Sequence, residues 1–226
     1  MPDRPRLNRE TVVRAAVALA DSEGVHEVSM RRLAAELDVV PMALYKHVRD
    51  KAELLDAMID AVIAEIPPPD PALTWKLAIR TRILQARVVL LAHPWLRTVM
   101  ETKPAPTPTV LAYMDSTIAV FLTGGLSPDL THHVMHALGS RIFGFSQELF
   151  TESAGAPVPP EVAAQLAAAF PNVVTVATGA DHDPASVVDR GCDDQFEFEF
   201  ALDLQLDAIE RLHDACWRSS AARRPQ

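Results

Sequence analysis

The chain has 226 residues, 49% of them hydrophobic and 23% charged, which is globular usage and excludes a disordered chain. Its formal net charge of −9, from 21 basic and 30 acidic residues, argues against a generic polyanion binder, whose whole surface would be basic. No apolar run reaches the ~18 residues of a membrane span, and Met1-Pro2-Asp3-Arg4-Pro5-Arg6 has no apolar stretch behind its charges, so a cytoplasmic protein is expected.

With only 8 glycines and no alternating strand pattern before residue 172, the fold class expected is all-α. Asn8 caps a first helix over about 9–23, with Val12, Val13, Ala16, Leu19 and Ala20 as its apolar stripe and Gly24 as the residue that ends it. Ser29 opens a second, short helix through Leu37, and a third spans about 40–47. Asp50 begins a fourth, with Glu53 in the capping-box position. It carries Leu54, Leu55, Met58, Ile59, Val62 and Ile66 until Pro67-Pro68-Pro69 stops it. The triple proline marks a domain boundary between 7–66 and 70–217. Beyond it, Asp70-Pro71 starts a helix that reaches His93, where Pro94 interrupts. A short helix over 94–101 and the extended loop Lys103-Pro104-Ala105-Pro106-Thr107-Pro108 follow. Further helices are expected over about 108–123, ending at Gly124-Gly125, from Ser127-Pro128-Asp129 to about Thr151, over 160–170 and over 191–217. The stretch 172–190 has turn signals and no clean period. Cys192 and Cys216 flank the last helix; at ~1.5 Å per residue they stand about 36 Å apart, so both are read as free thiols in a reducing compartment.

Residues 29–48 have the spacing of a helix-turn-helix. In the first helix, Leu33, Ala34 and Leu37 face one way, and Ala34 is small where two helices must approach. Asp38 falls at the turn, where a left-handed residue is needed, and Val39 plugs the angle between the helices. The second helix offers Leu44 and Val48 to a core and shows Pro41, Met42, Ala43, Tyr45, Lys46 and His47 on its other side. Positive charge is concentrated here: 28–51 holds five basic residues, Arg31, Arg32, Lys46, Arg49 and Lys51, against three acidic ones. A helical hairpin with a solvated charged face shares this spacing; a helix free to enter a major groove is the functional alternative.

The run Leu7-Asn8-Arg9-Glu10-Thr11-Val12-Val13-Arg14-Ala15-Ala16, the motif Met30-Arg31-Arg32-Leu33-Ala34-Ala35-Glu36-Leu37 and the segment Ala43-Leu44-Tyr45-Lys46-His47-Val48-Arg49-Asp50-Lys51-Ala52-Glu53-Leu54-Leu55 together resemble the N-terminal domain of the TetR family of bacterial transcriptional regulators. Trp75, the His93-Pro94-Trp95 step, Gly124-Gly125-Leu126-Ser127 and the last helix at 198–210 are similar to that family's tetracycline-repressor-like C-terminal domain. The resemblance implies an all-α homodimer. A helix-turn-helix domain at 7–66 would stand on a larger ligand-binding and dimerisation domain at 70–217, with dimer helices near 128–151 and 191–217. It implies a repressor of double-stranded operator DNA, released when a largely apolar small molecule moves the fourth helix. That movement would change the spacing of the two recognition helices from the ~34–36 Å of successive major grooves.

Carried over residue by residue, Arg31 would reach a base edge, as Arg suits guanine O6 and N7. Pro41, Met42 and Ala43 would take the base-facing start of the recognition helix. Tetracycline repressors place polar residues at two of these three sites; apolar ones read only thymine methyls and shape, so a different operator is expected. Tyr45 and His47 would hold phosphates, with packing between the motif and helix one as the alternative for each. Lys51, at the start of the fourth helix, would add its charge to the helix dipole at another phosphate. Leu44 belongs to the same run and is counted with the DNA-binding residues.

For the ligand, Trp75, Trp95, Met100, Met114, Phe121, Phe143, Phe145 and Gln147 are candidates for an apolar cavity among the middle helices, each with ordinary core packing as its alternative. Tetracycline repressors use a His to help hold magnesium–tetracycline; Val99 aligns there, with Glu148 near the acidic partner, so that chelate is not expected. His132 and His136 lie at a metal-compatible spacing. With only Asp129 to complete the face, and His133 beside them, a solvent or interface cluster fits better, and no metal or cofactor is expected. No Gly-x-Ser-x-Gly elbow, Gly-rich phosphate loop or Cys-x-x-Cys occurs, so catalysis is not expected. A regulator without an effector, and more remotely an all-α enzyme, are the competing readings.

Overall fold

The computed structural model describes residues 7–144, 160–172, 174–175 and 194–222. Their regular structure is helical, without strands among the described residues. The helices are α1 (Arg9–Glu23), α2 (Met30–Glu36), α3 (Pro41–Leu44), α4 (Lys51–Ile63), α5 (Trp75–Ala92), α6 (Trp95–Glu101), α7 (Pro108–Thr123), α8 (Pro128–Gly144), α9 (Pro160–Ala169), α10 (Asp194–Asp214) and the short α11 (Ser219–Ala222). Residues 172–190, Phe145, Gln147, Glu148, Cys192 and the expected extension of α8 to Thr151 lie outside the described residues in whole or in part. No described helix is long and apolar enough to cross a membrane.

Local chemistry sets the helix ends. The Thr11 N–H donates to Asn8 Oδ1 at 2.8 Å and the Asn8 N–H to Thr11 Oγ1 at 2.9 Å, a reciprocal capping box. Gly24 ends α1 at φ +91°, and a Cβ there would meet the His26 ring at 2.7 Å. Asp50 accepts from the Glu53 N–H at 2.8 Å. The Glu53 carboxylate does not close the expected capping box onto Asp50; it accepts instead from the Arg49 N–H at 2.9 Å, one residue further back. The start of α5 corrects the sequence reading. Asp70 folds its carboxylate onto the Ala72 N–H at 2.9 Å, forming a separate turn, and Thr74 is the cap, so the helix begins four residues after Pro71.

Two compact units divide the described chain: α1–α8 with residues from Ala208 onward, and α9 with 194–207. In the first unit α1, α2 and α3 surround Val12, Ala16, Leu33, Ala34 and Leu44, all essentially without solvent exposure, and α4 packs on α1. The same buried cluster continues through α4 into Ala86, Val89, Leu96, Val99 and Val110, so α4 also meets α6 and α7. Its Leu54, Met58, Ile59 and Val62 leave almost no surface to water, worth roughly 1.5–3 kcal/mol for each large side chain. The α5–α7 contact is close at Gly124, where a Cβ would sit 2.5 Å from that of Trp75. The Trp75 indole lies on the Phe121 ring with centroids 6.0 Å apart. Along α10, Phe198, Leu202, Leu206 and Ile209 are buried, while Phe196, Phe200, Leu204 and Leu212 are exposed. Cys216 carries a free, exposed thiol.

Candidate functional site

The turn between α2 and α3 is a Schellman closure. Leu37 caps α2, the Asp38 N–H donates to Ala35 O at 3.1 Å, and the Val39 N–H to Ala34 O at 2.9 Å. This geometry requires a left-handed residue, and Asp38 adopts φ +51°, at a cost of about 1–2 kcal/mol that glycine would avoid. Pro41 then occupies the first turn of α3, where its missing N–H leaves no bond unmade. Regular helix ends at Leu44, earlier than the 47 expected, because the His47 N–H bonds back only three residues to Leu44 O and Asp50 already caps the next helix.

This arrangement pushes a contiguous surface outward. Val40 is 68% exposed, Met42 71% and Tyr45 44%; Pro41, Lys46, Arg31 and Lys51 are exposed beside them, with Ala43 and His47 half-buried. Leu44 corrects the expectation: it is fully buried, in the core that α3 forms with α2, and cannot touch DNA in this conformation. The charges also sort themselves. Arg32 is held by Glu23 at 2.7 Å and Glu36 at 3.1 Å, and the Glu23 bond raises its guanidinium above the usual range. Arg49 and Arg9 both reach Glu53, at 2.9 and 3.2 Å. The backbone bond from Arg49 holds the Glu53 carboxyl below the usual carboxylate range. Arg31, Lys46 and Lys51 make no ion pair among the described residues. The basic surface is therefore these three residues and not the five that counting suggests. Lys46 is exposed between Tyr45 and His47 and belongs to this surface.

A cavity of about 170 Å³ lies beyond the far end of α4. Ile63 and Ile66 form its α4 side, Ile79, Arg82, Ile83, Ala86 and Leu90 come from α5, and Met100, Val110, Tyr113, Met114, Thr117, Met135 and Leu138 close it. Of the residues expected to line a ligand site, Met100 and Met114 are on its wall. Trp75, Trp95 and Phe121 are not: Trp75 packs on Gly124, Phe121 is fully buried beside it, and the Trp95 N–H is bonded to Asp21. The side chain of Phe143 and all of Phe145 and Gln147 lie outside the described residues. Val99, which the resemblance aligns with the tetracycline-repressor His, is buried core. Among the wall residues that sequence reasoning misses is Arg82, 3% exposed, because a cation reads as solvated unless its environment is known. His132, His133 and His136 form an edge-to-face stack extended by Trp217, with ring centroids 4.8–5.4 Å apart.

Comparison with known proteins agrees with this geometry. The family profile for bacterial regulatory proteins of the tetR family matches residues 12–58, and that for the tetracycline-repressor-like C-terminal domain matches 67–212. The chain is 33% identical over 156 residues to the HTH-type transcriptional repressor DrrR1 of Streptomyces coeruleorubidus, covering 67% of this chain and 57% of that one. It is 36% identical over 123 residues to an HTH-type transcriptional regulator of Saccharopolyspora erythraea, covering 54% and 52%. The match thus spans little more than half the length of these curated relatives. The solved structure of apo ActR from Streptomyces coelicolor has a TM-score of 0.65 and 28% identity, covering 93% of this chain and 98% of ActR. ActR in complex with actinorhodin gives 0.66 and 27%, covering 91% and 96%. With a helix-turn-helix at its N-terminus and one family profile matching well over half its length, the chain belongs to the TetR family of transcriptional regulators.

Proposed function

We propose that this chain is a homodimeric repressor that binds operator DNA through α2 and α3 and is released by a small, largely apolar effector held beyond the end of α4. The observation that carries the reading is the placement of that one helix. Its first residue, Lys51, is exposed beside the α3 surface, and its other end supplies Ile63 and, just past it, Ile66 to the cavity wall. Thirteen residues at ~1.5 Å each make α4 a rigid rod of about 20 Å between the two. A ligand that favours one position of the rod biases the other end, which is the two-state element that coupling requires.

In this reading, 7–66 is the DNA-binding domain and 70–217 the ligand-binding and dimerisation domain. The protein then works in the cytoplasm, where bacterial DNA lies. Arg31 reads a base edge, Pro41, Met42 and Ala43 read thymine methyls and groove shape, and Tyr45, His47 and Lys51 hold phosphates. A second copy covers the exposed face of α10, with Phe196, Phe200, Leu204, Ala208 and Leu212 at i, i+4 steps, together with α8. The ActR complexes, in which a homologous chain holds actinorhodin or (S)-DNPA, support an effector over a regulator without one. Selection of bound sequences from a random DNA pool by the full chain tests the reading. A palindromic site with half-sites one helical turn apart is the expected outcome, and a pool with no enriched sequence would refute it.

A further inference from the structure

The cavity beyond α4 is apolar apart from Arg82, Tyr113 and Thr117, and no carboxylate lines it among the described residues. Arg82 is buried there as a cation with only neutral acceptors. Its Nε–H donates to Thr117 Oγ1 at 2.9 Å, Nη1 to Pro67 O at 2.8 Å, and Nη2 to Ser116 Oγ at 2.8 Å and Tyr113 O at 3.3 Å. The guanidinium lies over the Tyr113 ring, 4.3 Å from the centroid. Burial pushes the Tyr113 phenol up, so it stays protonated and supplies no counter-charge; burial likewise pulls the Arg82 guanidinium down from its usual range. Charges this deep in proteins are ordinarily paired, and planar guanidinium is the side chain best shaped to take a carboxylate.

We propose that the cavity takes a small apolar carboxylic acid, about one ring in size, whose carboxylate pairs with the Arg82 guanidinium while its ring lies among the isoleucines and methionines. The proposal rests on the cavity being the effector site. The size follows from the volume: about 170 Å³ is close to the ~150 Å³ of an engineered apolar cavity that accepts benzene. The same guanidinium holds the Pro67 carbonyl, at the start of the proline run that follows α4. An anion that draws Arg82 toward itself therefore pulls on the junction through which α4 would be moved, which gives a charged effector leverage a neutral one lacks.

Calorimetric titration of the full chain with benzoate and with benzamide, its neutral analogue of the same shape, tests the proposal directly. Benzoate is expected to bind at least ten-fold more tightly. In Arg82→Met the preference should fall below two-fold. If that variant does not fold, the wild-type chain still decides through a second pair, phenylacetate against phenylacetamide, where the same ten-fold preference is expected. Equal binding of acid and amide, no binding of any of the four, or a preference that survives in Arg82→Met would overturn the proposal. Operator binding measured alongside separates the two readings. Release of operator by neutral compounds, with no preference for acids, sinks the Arg82 proposal alone. Failure to bind any DNA sinks the regulator reading, and the titration still judges the acid site.

Discussion

Trp95 Nε1 donates to Asp21 Oδ1 at 2.6 Å, tying the start of α6 to the last turns of α1 across 74 positions of sequence. The same oxygen lies 2.8 Å from His93 Nδ1, and His93 Nε2 lies 3.4 Å from Glu65 Oε2. The indole is nearly buried at 5% exposure, and a buried indole N–H needs an acceptor. Trp95→Phe keeps most of the ring and loses the donor. It should cost about 1.5–3 kcal/mol in urea unfolding, the range for a hydrogen bond to a charged group. A loss below about 0.5 kcal/mol would show that the clamp does not hold α1 in place.

The DNA face makes a prediction that separates reading from anchoring. Arg31→Ala should weaken binding to the selected site by roughly 1–3 kcal/mol and relax the preference at one base pair per half-site. Lys51→Ala should weaken all sequences about equally and flatten the salt dependence by about one unit for each phosphate it no longer neutralises. Salt titrations in which the two variants behave alike would contradict the assignment.

The exposed face of α10 predicts the assembly. Phe200 is 53% exposed and stacks at 14° on Phe196, itself 62% exposed, while the opposite face of the same helix is buried. Phe200→Asp places a charge in the middle of this stripe and should convert a dimer to a monomer. Sedimentation at micromolar concentration reads the outcome; a wild-type monomer, or a dimer undisturbed by the substitution, would refute the interface.

Acid should loosen the C-terminal turn. Asp129 Oδ2 accepts from the Ser219 N–H at 2.7 Å and Oδ1 from the Ser219 hydroxyl at 2.8 Å. The backbone bond leads in holding this carboxyl below its usual range. A carboxyl lowered by folding contributes stability above its unfolded pKa of ~3.9 and loses it as pH falls through the lower folded value. Asp129→Ala should therefore remove part of the acid dependence of wild-type unfolding below about pH 4. Identical acid limbs for the two proteins would count against the bond.

What is legible in the sequence is local. Asn8, Ser29, Asp50 and Ser127 all cap the helices they precede, because a cap depends on a side chain and a backbone N–H two or three residues away. Asp38 can be assigned to the left-handed turn for the same reason. What the sequence hides depends on partners distant along the chain. Asp70 and Thr74 are both competent caps, and the competing Asx turn at Ala72 decides between them. Trp75 has the composition of a ligand-binding aromatic, yet Gly124, 49 positions later, leaves the space that it fills. Arg82 is indistinguishable from a solvated helix arginine until Pro67, Tyr113 and Thr117 are folded around it.

The coupling prediction joins the two ends of α4. An effector in the cavity must favour the spacing that does not fit DNA, or it cannot act. By linkage, operator must then weaken effector binding by the same factor by which effector weakens operator binding; a ~100-fold effect corresponds to about 2.7 kcal/mol. Ile63 and Ile66 stand on the cavity wall at the far end of the helix from Lys51. Truncating them removes the surface through which a ligand pushes on α4 while leaving the DNA face intact. Ile66→Ala should therefore reduce the coupling more than it changes either binding constant measured alone, with Ile66→Val intermediate, since valine is one methyl group smaller and still reaches the cavity. The measurement is a thermodynamic box: effector affinity with and without operator, and operator affinity with and without effector, for wild type and both variants. Simultaneous binding of effector and operator with no mutual penalty would remove the allosteric repressor reading while leaving the fold assignment standing. A coupling unchanged in Ile66→Ala would instead move the mechanical element away from the end of α4.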